Sequence, residues 1–167
     1  MTHDLIVIGA GPAGMSAAVA AAELGLKTLL LDEQPRLGGQ IYRNVANKSE
    51  KMDVILGRDY AYGRKLVATL EATSVEICLS STVWDITRDL SVLALQNGTS
   101  LKFRAPQLIV ASGALERPSP LPGWTLPGVL NAGAAQIAMK SGGSIPSGKI
   151  VLVGGGPPST VGRLSAT

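Results

Sequence analysis

Three glycines near the N-terminus stand at a spacing that suits the binding of a phosphate group. Gly9, Gly11 and Gly14 form a Gly-x-Gly-x-x-Gly pattern directly after a short apolar run and before an alanine-rich stretch. In such a turn the first glycine permits a tight bend, the second lets the backbone approach a diphosphate, and the third lets helix and strand pack closely. The free N–H groups and the positive dipole end of the helix then bind the diphosphate. The pattern therefore predicts a dinucleotide-binding turn.

An acidic residue follows this turn at the distance that dinucleotide binding requires. Asp32 closes the next predicted strand, about twenty residues beyond the glycines. Its carboxylate can accept hydrogen bonds from ribose hydroxyls and would repel a 2′-phosphate. Glu33 is the neighbouring candidate, and the sequence alone does not separate the two. The alternative to a nucleotide site is a glycine-rich turn that binds no ligand.

The segments around these residues predict a βαβ unit. Leu5–Ile8 is a short apolar run, as expected for a parallel strand that is buried on both faces, and Lys27–Leu31 is a second predicted buried strand. Between them, Ala13–Leu24 is rich in alanine and has high helix propensity, and Gly25 stands where a C-cap glycine is expected. Strand, glycine turn, helix and strand follow one another in the order of a Rossmann-like α/β fold.

The segments further along the chain predict the rest of an α/β domain. Apolar residues recur at helical spacing from Leu56 to Ala72, which predicts an amphipathic helix. Val75–Leu79 is a predicted strand, and Leu108–Ala111 returns to the buried parallel type. A small antiparallel meander, with Asn97-Gly98 as its clearest hairpin turn, is predicted over Thr82–Thr87, Ser91–Gln96 and Thr99–Phe103.

Longer motifs around the glycine turn resemble a known family. The chain reads Gly9-Ala10-Gly11-Pro12-Ala13-Gly14, then Asp32-Glu33-Gln34-Pro35-Arg36 and Gly38-Gly39-Gln40-Ile41-Tyr42-Arg43. These segments resemble the FAD domain of flavoproteins with two dinucleotide-binding domains, a superfamily that includes thioredoxin reductase-like enzymes. The closer resemblance is to the flavoprotein subunits of opine oxidase, hydrogen cyanide synthase and hydroxyproline or proline dehydrogenase. It is strengthened by the segment Pro122-Gly123-Trp124-Thr125-Leu126-Pro127-Gly128-Val129.

The resemblance implies cofactor-binding roles for residues in and after the glycine turn. Pro12 and Ala13 would belong with the three glycines to the segment that binds the diphosphate of FAD. Gly38, Gly39 and Gln40 would lie along the flavin side of FAD, where the glycines allow the backbone to come close. The alternative for these last three residues is an ordinary loop.

Two later segments also gain implied roles. Ala111, Ser112 and Gly113 resemble the Ala-Thr-Gly segment that closes the FAD site in the family, with serine in place of threonine, which keeps the hydroxyl group. Val83 stands where backbone atoms of this superfamily meet the adenine, and a buried valine with no ligand contact is the alternative.

The resemblance also implies a domain organisation. We expect an FAD-binding domain over residues 1–117, a proline-rich linker over 118–130, and the start of a second dinucleotide-binding domain over 131–167. In that last part, Ala132–Lys140 is a predicted helix and Lys149–Val153 a predicted strand, which a glycine turn, Gly154-Gly155-Gly156, follows.

The end of the chain departs from the family's pattern. Pro157-Pro158 and the polar segment Ser159–Thr167 do not fit the crossover helix of a second nucleotide domain. We therefore expect a truncated second domain without a functional NAD(P) site. Because chains of this family return after the second domain to complete the first, we also expect the FAD domain to be incomplete.

Charge and the single cysteine and histidine exclude several other classes of function. The formal net charge of +3 comes from basic residues that are scattered along the chain, Arg36 and Arg43 among them, and we interpret these as solvated surface rather than a nucleic-acid site. We interpret Cys78, the only cysteine, as a buried apolar thiol and His3, the only histidine, as solvent-exposed. The sequence shows no metal-ligand spacing, so we expect no metal site.

The apolar N-terminal stretch does not predict a membrane span. Leu5–Ala22 is almost uncharged, yet Pro12 and the glycines interrupt it and Asp4 precedes it where a signal sequence would carry basic residues. We therefore expect a cytoplasmic protein with no membrane span.

These observations lead to a main functional hypothesis and two alternatives. The main one is the N-terminal portion of an FAD-dependent oxidoreductase. For the family named, the complete protein would transfer hydride between the flavin and an amino-acid-derived amine, and the resemblance implies a complex of several subunits. The sequence assigns no catalytic acid or base. The alternatives are a non-catalytic, truncated nucleotide-binding fragment and an NAD-binding subunit without flavin.

Overall fold

A computed structural model of the protein describes residues 3–47, 55–118 and 120–154. The chain divides into two compact units, Met1–Ala114 and Leu115–Thr167. The described part of the first unit contains a parallel sheet, an antiparallel sheet and α-helices, which confirms the predicted α/β class. The predicted domain boundaries after residues 117 and 130 stay predictions.

The described part of the first unit contains seven strands. In chain order they are β1 (Leu5–Ile8), β2 (Thr28–Leu31), β3 (Glu76–Cys78), β4 (Ser81–Ile86), β5 (Ser91–Gln96), β6 (Thr99–Arg104) and β7 (Gln107–Val110). The parallel sheet has the spatial order β3-β2-β1-β7, so that β1 pairs with β2 on one side and with β7 on the other. Strands β4, β5 and β6 form the predicted antiparallel meander.

Two helices lie against the parallel sheet. Helix α1 (Pro12–Glu23) connects β1 to β2, and helix α2 (Arg58–Glu71) precedes β3. Both were predicted to within two residues at each end. Proline suits the first position of α1, because its missing N–H is one that the helix could not have bonded internally.

The central strands of the parallel sheet, β1 and β2, are buried at every position, so the sheet is covered on both faces. Leu5 and Val7 of β1 join a cluster with Met15 of α1 and Leu70 of α2. The alternate residues of the strand point the other way, since successive side chains of a strand face opposite sides. Ile6 and Ile8, together with Leu29 and Leu31 of β2, therefore form a second cluster with Val92 of the meander. The result is three layers, with helices on one face of the parallel sheet and the meander on the other.

The meander forms as the sequence predicts. Asn97 and Gly98 have φ angles of 50° and 77°, which is the pair of positive values that a tight hairpin turn of the Asn-Gly type requires. The turn sets the register in which Gln96 pairs with Thr99. Between β4 and β5 the pairing is irregular, with a register shift between Val83 and Asp85.

Strand β7 differs from the prediction of a strand buried on both faces. It lies at the edge of the described sheet, and Ile109 and Val110 are 39% and 61% exposed. Apolar, β-branched composition correctly predicted a parallel strand here. Composition could not predict that other elements leave part of the strand uncovered. It indicates which side chains favour burial, and the elements that pack on the strand depend on the rest of the fold.

The described part of the second unit contains one regular α-helix. Helix α3 (Ala132–Ile137) is followed by a wider π-type turn over Ala138–Gly142, so the predicted helix Ala132–Lys140 is present with an irregular end. The predicted strand Lys149–Val153 is wrong: these residues have no strand structure, and Val151 and Val153 are 76% and 78% exposed. A parallel strand is stable only when neighbours bond its N–H and C=O groups, and the described part of this unit has no other strand.

The last predictions fall partly outside the described residues. Gly154 is described, whereas Gly155 and Gly156, the two prolines after them and the segment Ser159–Thr167 are not. Among the helices that the structure describes, none has both the length and the apolar character that crossing a bilayer demands.

Candidate dinucleotide-binding site

The glycine turn connects β1 to α1 at the carboxyl end of the parallel sheet. Gly9 continues the sheet pairing by donating its N–H to the carbonyl of Leu31 at 2.7 Å, and it then turns the chain with a φ of +104°. A Cβ atom at Gly9 would overlap the carbonyl oxygen of Ala111 and come within 3.1 Å of the Ser112 nitrogen. The turn can therefore lie this close to the end of β7 only with glycine at this position.

Gly14 brings the first turn of α1 against the end of β1. A Cβ atom at this position would overlap the carbonyl oxygen of Gly9 and lie 3.4 Å from the side chain of Ala111. The residue is buried, as are Met15 and Ala18 behind it. Gly14 therefore allows the close packing of helix and strand that the sequence pattern predicts.

Gly11, in contrast, faces open space. It is the N-cap of α1, and a Cβ atom built on it would meet nothing within 4 Å among the described atoms. No side chain caps the first turn, and Pro12 has no N–H, so the unpaired donors there belong to the residues after it. Ala13 is exposed at this end. The glycine turn thus presents backbone donors and the positive end of a helix to an accessible surface.

Asp32 ties the end of β2 to the glycine turn. Its Oδ2 accepts a hydrogen bond from the backbone N–H of Ala10, and its Oδ1 accepts one from the backbone N–H of Gln34 at 2.7 Å. Its own backbone is held by Cys78 and Ser81, with N···O distances of 3.1 and 2.8 Å. The Asp32 carboxylate is half-buried, and it retains lone pairs beyond these two bonds for a ribose hydroxyl.

Glu33 differs from Asp32 in its surroundings. It is exposed, and its Oε1 accepts a hydrogen bond from Nε2 of Gln34 at 3.1 Å. Glu33 thus has a solvated carboxylate beside the site, whereas Asp32 is built into the turn. Both positions remain compatible with contact to a ribose.

The second pair of glycines packs directly on the first motif. The N–H of Gly38 donates to the carbonyl of Ala10 at 2.9 Å, and a Cβ atom at Gly39 would lie 2.8 Å from Cα of Gly11. Gln40 is exposed, and its Oε1 accepts a hydrogen bond from Nη2 of Arg43 at 3.1 Å. The structure therefore brings Gly38 and Gly39 to the glycine turn and places Gln40 at the rim of the same loop.

Helix α2 fixes this loop through contacts that sequence patterns did not reveal. The ring of Tyr42 packs where a side chain on Gly63 would be, and a Cβ atom at Gly63 would come within 2.9 Å of Cβ of Tyr42. One turn earlier in α2, the hydroxyl of Tyr60 donates to the carbonyl of Arg43 at 2.6 Å. Gly63 lies in a helix interior, where glycine is unfavourable. This unfavourable choice was the one feature of the sequence that could have indicated a close contact at this position.

Arg43 is a correction to the prediction that the basic residues are solvated surface. The residue is half-buried, and its Nε is a buried donor without a hydrogen-bond partner in the part of the chain that the structure describes. Arg36 fits the prediction better, since it is exposed and donates from Nη1 to Oδ1 of Asn44 at 2.6 Å. Because the arginines are scattered along the sequence, the pattern did not indicate that Arg36 and Arg43 share the loop after β2.

The segment after β7 lies beside the glycine turn. The N–H of Ala111 donates to the carbonyl of Ile8 at 2.7 Å, which continues the pairing of β7 with β1. Its carbonyl faces Gly9, and Ser112 and Gly113 are exposed beyond it. The structure thus places Ala111 and the backbone nitrogen of Ser112 against the first glycine of the turn, and Gly113 follows them.

Val83 belongs to the meander, near the end of β2. It is half-buried and packs against the cluster that contains Ile8 and Leu31, so its side chain contributes to the core. Ser81, two residues earlier in β4, donates its N–H to the carbonyl of Asp32. The role predicted for the Val83 backbone, contact with the adenine, stays a prediction.

Two interpretations from the sequence need correction. Cys78 is half-buried rather than enclosed by apolar groups, since its sulfur lies 3.1 Å from Oγ of Ser81 and 3.3 Å from Nε2 of Gln96. His3 is not simply solvent-exposed, because its Nε2 lies 2.8 Å from a carboxylate oxygen of Glu76 and its side chain is 9% exposed. Cys78 belongs to strand β3 and His3 contacts Glu76 of the same strand, whose neighbours could not be inferred from the sequence.

The fold and this geometry define a class of protein. A parallel sheet, a glycine turn opening a helix, and a carboxylate at the end of β2 together form a dinucleotide-binding domain of the Rossmann type. Comparison with known families gives a more specific result: residues 3–160 match the model of the pyridine nucleotide-disulphide oxidoreductases. The chain therefore belongs to that family, a family of flavin-dependent oxidoreductases.

Relatives with curated descriptions cover almost the whole chain. An opine oxidase subunit of Agrobacterium tumefaciens (strain Ach5) is 45% identical over 163 residues, which is 93% of this chain and 32% of the relative. A hydrogen cyanide synthase subunit, HcnB of Pseudomonas protegens, is 35% identical over 94% of this chain and 34% of the relative. The chain thus spans about a third of the length of these relatives, and each relative is described as one subunit of its enzyme.

A solved structure supports the fold. L-proline dehydrogenase from P. horikoshii superposes with a TM-score of 0.66 over 84% of this chain and 28% of the other chain, at 24% sequence identity. The similarity extends the agreement in fold beyond the βαβ unit. Within the described residues, no group of three or more His, Cys, Asp or Glu side chains is arranged to hold a metal ion.

Proposed function

We propose that this chain binds FAD and provides the FAD-binding part of an oxidoreductase. The observation that carries the proposal is the contrast between Gly11 and its neighbours in the turn. Gly9 and Gly14 have no room for a side chain because protein backbone fills it, whereas the space beside Gly11 is open. A diphosphate fits that combination, since it needs both a closely packed turn and an unobstructed backbone.

The residues present fit the proposed cofactor. Ala13 and Gly14, in the first turn of α1, would donate N–H groups to the diphosphate, and Asp32 or Glu33 would accept hydrogen bonds from the adenosine ribose. Backbone near Val83 would meet the adenine. Gly38, Gly39 and Gln40, with Ala111, Ser112 and Gly113, would line the part of the site towards the flavin.

The chemistry of the whole protein is part of the proposal. A bound flavin supplies hydride transfer at its N5 atom, and the protein's contribution is to orient the ring and exclude water. We propose an amino-acid-derived amine as the substrate class, with other subunits completing the enzyme, because the relatives are subunits of an opine oxidase and a hydrogen cyanide synthase. The chain covers a third of those relatives, so residues that contact the substrate are not assigned.

One alternative keeps the nucleotide site but changes the cofactor. An NAD-binding subunit would use the same glycine turn and the same carboxylate, since both cofactors share the adenosine diphosphate half. The packing of Gly38 and Gly39 on the glycine turn favours FAD, because the resemblance assigns these residues to the flavin side. A non-catalytic nucleotide-binding chain is the second alternative.

Titration of the cofactor-free protein distinguishes the FAD-binding proposal from the NAD-binding alternative. FAD is added to the purified chain, and binding is followed by the quenching of flavin fluorescence and by the flavin absorbance bands. We expect saturable binding at one FAD per chain, with NADH unable to displace it at the same concentration. Binding of NADH in preference to FAD would support the NAD-binding alternative, and binding of neither would contradict the proposal.

Catalytic competence needs a second measurement. Bound FAD in an oxidoreductase accepts electrons, so its absorbance should bleach when dithionite is added and recover in air. The decisive test is bleaching by a secondary amine derived from an amino acid, with the partner subunits present. An FAD-bound complex that is not reduced by any amine of this class would favour the non-catalytic alternative.

A further inference from the structure

A small cavity lies in the loop between β2 and α2, immediately beside the glycine turn. It has a volume of about 200 Å³, and its lining includes Gln34, Arg36, Gly39, Arg43 and Asn44. Gly39 connects it to the proposed cofactor site, because the backbone of Gly39 packs on Gly11. Pockets that enclose a whole drug-sized ligand occupy roughly 300–1,000 Å³. This cavity therefore suits a single group of a larger ligand.

The charge of the cavity identifies the kind of group. Two guanidinium side chains and no carboxylate are among the residues that line it. The glycine turn itself has no cationic side chain, since Pro12, Ala13 and Met15 are uncharged, and Asp32 adds a negative charge beside it. A diphosphate bound there needs positive charge from elsewhere, and the loop that lines the cavity carries Arg36 and Arg43.

Arg43 carries an unused donor in a fixed position. Its Nη2 donates to Gln40 and its backbone carbonyl accepts from Tyr60, while its buried Nε has no partner among the described residues. A buried donor without an acceptor is costly, and such groups in folded proteins usually mark a ligand, a water molecule or a strained site. Arginine pairs Nε–H with an Nη–H when it binds a phosphate side-on.

We infer that Arg36 and Arg43 form a phosphate subsite for the nucleotide that the glycine turn binds. The inference rests on the proposed function and adds to it. The backbone amides of α1 would hold one side of the diphosphate, and the two guanidinium groups would neutralise its charge from the side of the loop. A phosphate-bearing ligand would also complete the hydrogen bonding of Arg43.

The test uses ADP and adenosine, which differ only in the diphosphate, together with the complete cofactor FAD. The dissociation constants of FAD, ADP and adenosine are measured for the full chain by isothermal titration calorimetry, for the wild type and for the Arg36→Gln and Arg43→Gln variants. Glutamine keeps a polar side chain and removes the charge. Arg88→Gln is the matched control, because Arg88 is exposed in the turn between β4 and β5. Circular dichroism confirms folding, and Arg36→Gln, at an exposed position, decides the question if Arg43→Gln does not fold.

We expect each of the two variants to weaken FAD and ADP by about 10- to 100-fold, the scale of a lost charge-assisted hydrogen bond. Adenosine should bind all four proteins equally, and Arg88→Gln should match the wild type for every ligand. Unchanged ADP and FAD affinities in both variants would overturn the subsite and leave the proposed function standing. An equal loss of affinity for adenosine would also overturn the phosphate subsite, because it would show that the substitution distorts the whole nucleotide site. A wild type that binds neither FAD nor ADP would overturn both proposals.

Discussion

The carboxylate of Asp32 accepts a hydrogen bond from the backbone N–H of Ala10, in the middle of the glycine turn. This contact joins the end of β2 to the turn that follows β1, and the other oxygen of the same carboxylate holds Gln34 at 2.7 Å. The acidic residue of the motif thus has a structural function before any nucleotide is bound. It fixes the turn in the shape that leaves the first donors of α1 available.

Asp32 and Glu33 should therefore respond differently to substitution. Asp32→Asn would replace an acceptor by an amide that cannot accept from both backbone N–H groups, and we expect it to lower the free energy of unfolding by ~1–3 kcal/mol. Glu33→Gln, at an exposed position, should change it by less than about 0.5 kcal/mol. Urea denaturation measures both. Equal stability of the two variants would contradict the structural function of Asp32.

The same pair of variants addresses the ribose. If FAD affinity falls in Glu33→Gln while stability is unchanged, Glu33 contacts the sugar. If Glu33→Gln binds FAD as the wild type does and Asp32→Asn does not, Glu33 does not contact the sugar and Asp32 supports binding, through the turn, the ribose or both. Glu33 is a suitable comparison for Asp32 because it carries the same charge at the next position and makes no hydrogen bond to the glycine turn.

Packing of Tyr42 on Gly63 should be visible as an energetic coupling. Gly63→Ala would push the Tyr42 ring away from α2 and, by overpacking, should cost ~1–3 kcal/mol. In a Tyr42→Ala background the same substitution should cost much less or stabilise the helix, because the obstruction has gone and alanine favours helix. A double-mutant cycle by denaturation measures the coupling energy. Additive effects would show that the ring and the helix do not meet there.

The turn between β4 and β5 predicts a pH dependence away from the cofactor site. A hydrogen bond from the Thr87 hydroxyl, with one from Ser91 and the charge of Arg104, lowers the pKa of Asp89 below its ordinary value. Because the folded-state pKa is the lower one, the stability this group contributes is present above the unfolded-state pKa of about 3.9 and is lost as the pH falls through the folded value. Asp89→Asn should therefore lower Tm at pH 7 by a small amount, and the difference should shrink as the pH is lowered below that reference and the carboxyl becomes protonated in both states. A constant difference across this range would contradict the assignment to the charged carboxylate.

The sequence predicted those parts of the fold that repeat a local pattern. Strand β1, helix α1 and the Asn97-Gly98 hairpin each follow from periodicity or turn chemistry over a few residues. Lys149–Val153 contains an apolar run like that of β1 and forms no strand, because a strand also needs partners that the local sequence does not specify. The exposed face of β7 has the same explanation.

The candidate site was predictable to a similar degree. The glycines and Asp32 follow from their spacing, and Gly38, Gly39, Ala111, Ser112 and Gly113 were assigned by resemblance. Arg43 and Gly63 were missed because their importance arises from the path of an irregular loop. In that loop Arg43 is half-buried and Tyr42 packs on α2. Neither feature follows from a periodic pattern in the sequence.

Replacement of Gly11 by alanine tests the central claim most directly. A Cβ atom at Gly11 meets no described atom within 4 Å, so Gly11→Ala should lower the unfolding free energy by no more than about 1 kcal/mol, the scale of the preference for glycine over alanine at an N-cap. Gly14→Ala is the contrasting control, since its Cβ would overlap the carbonyl of Gly9 and should destabilise the protein strongly. The measurement is the FAD dissociation constant of folded Gly11→Ala, which we expect to rise about 5- to 150-fold, equivalent to ~1–3 kcal/mol. An affinity equal to that of the wild type would contradict binding of the diphosphate at this turn.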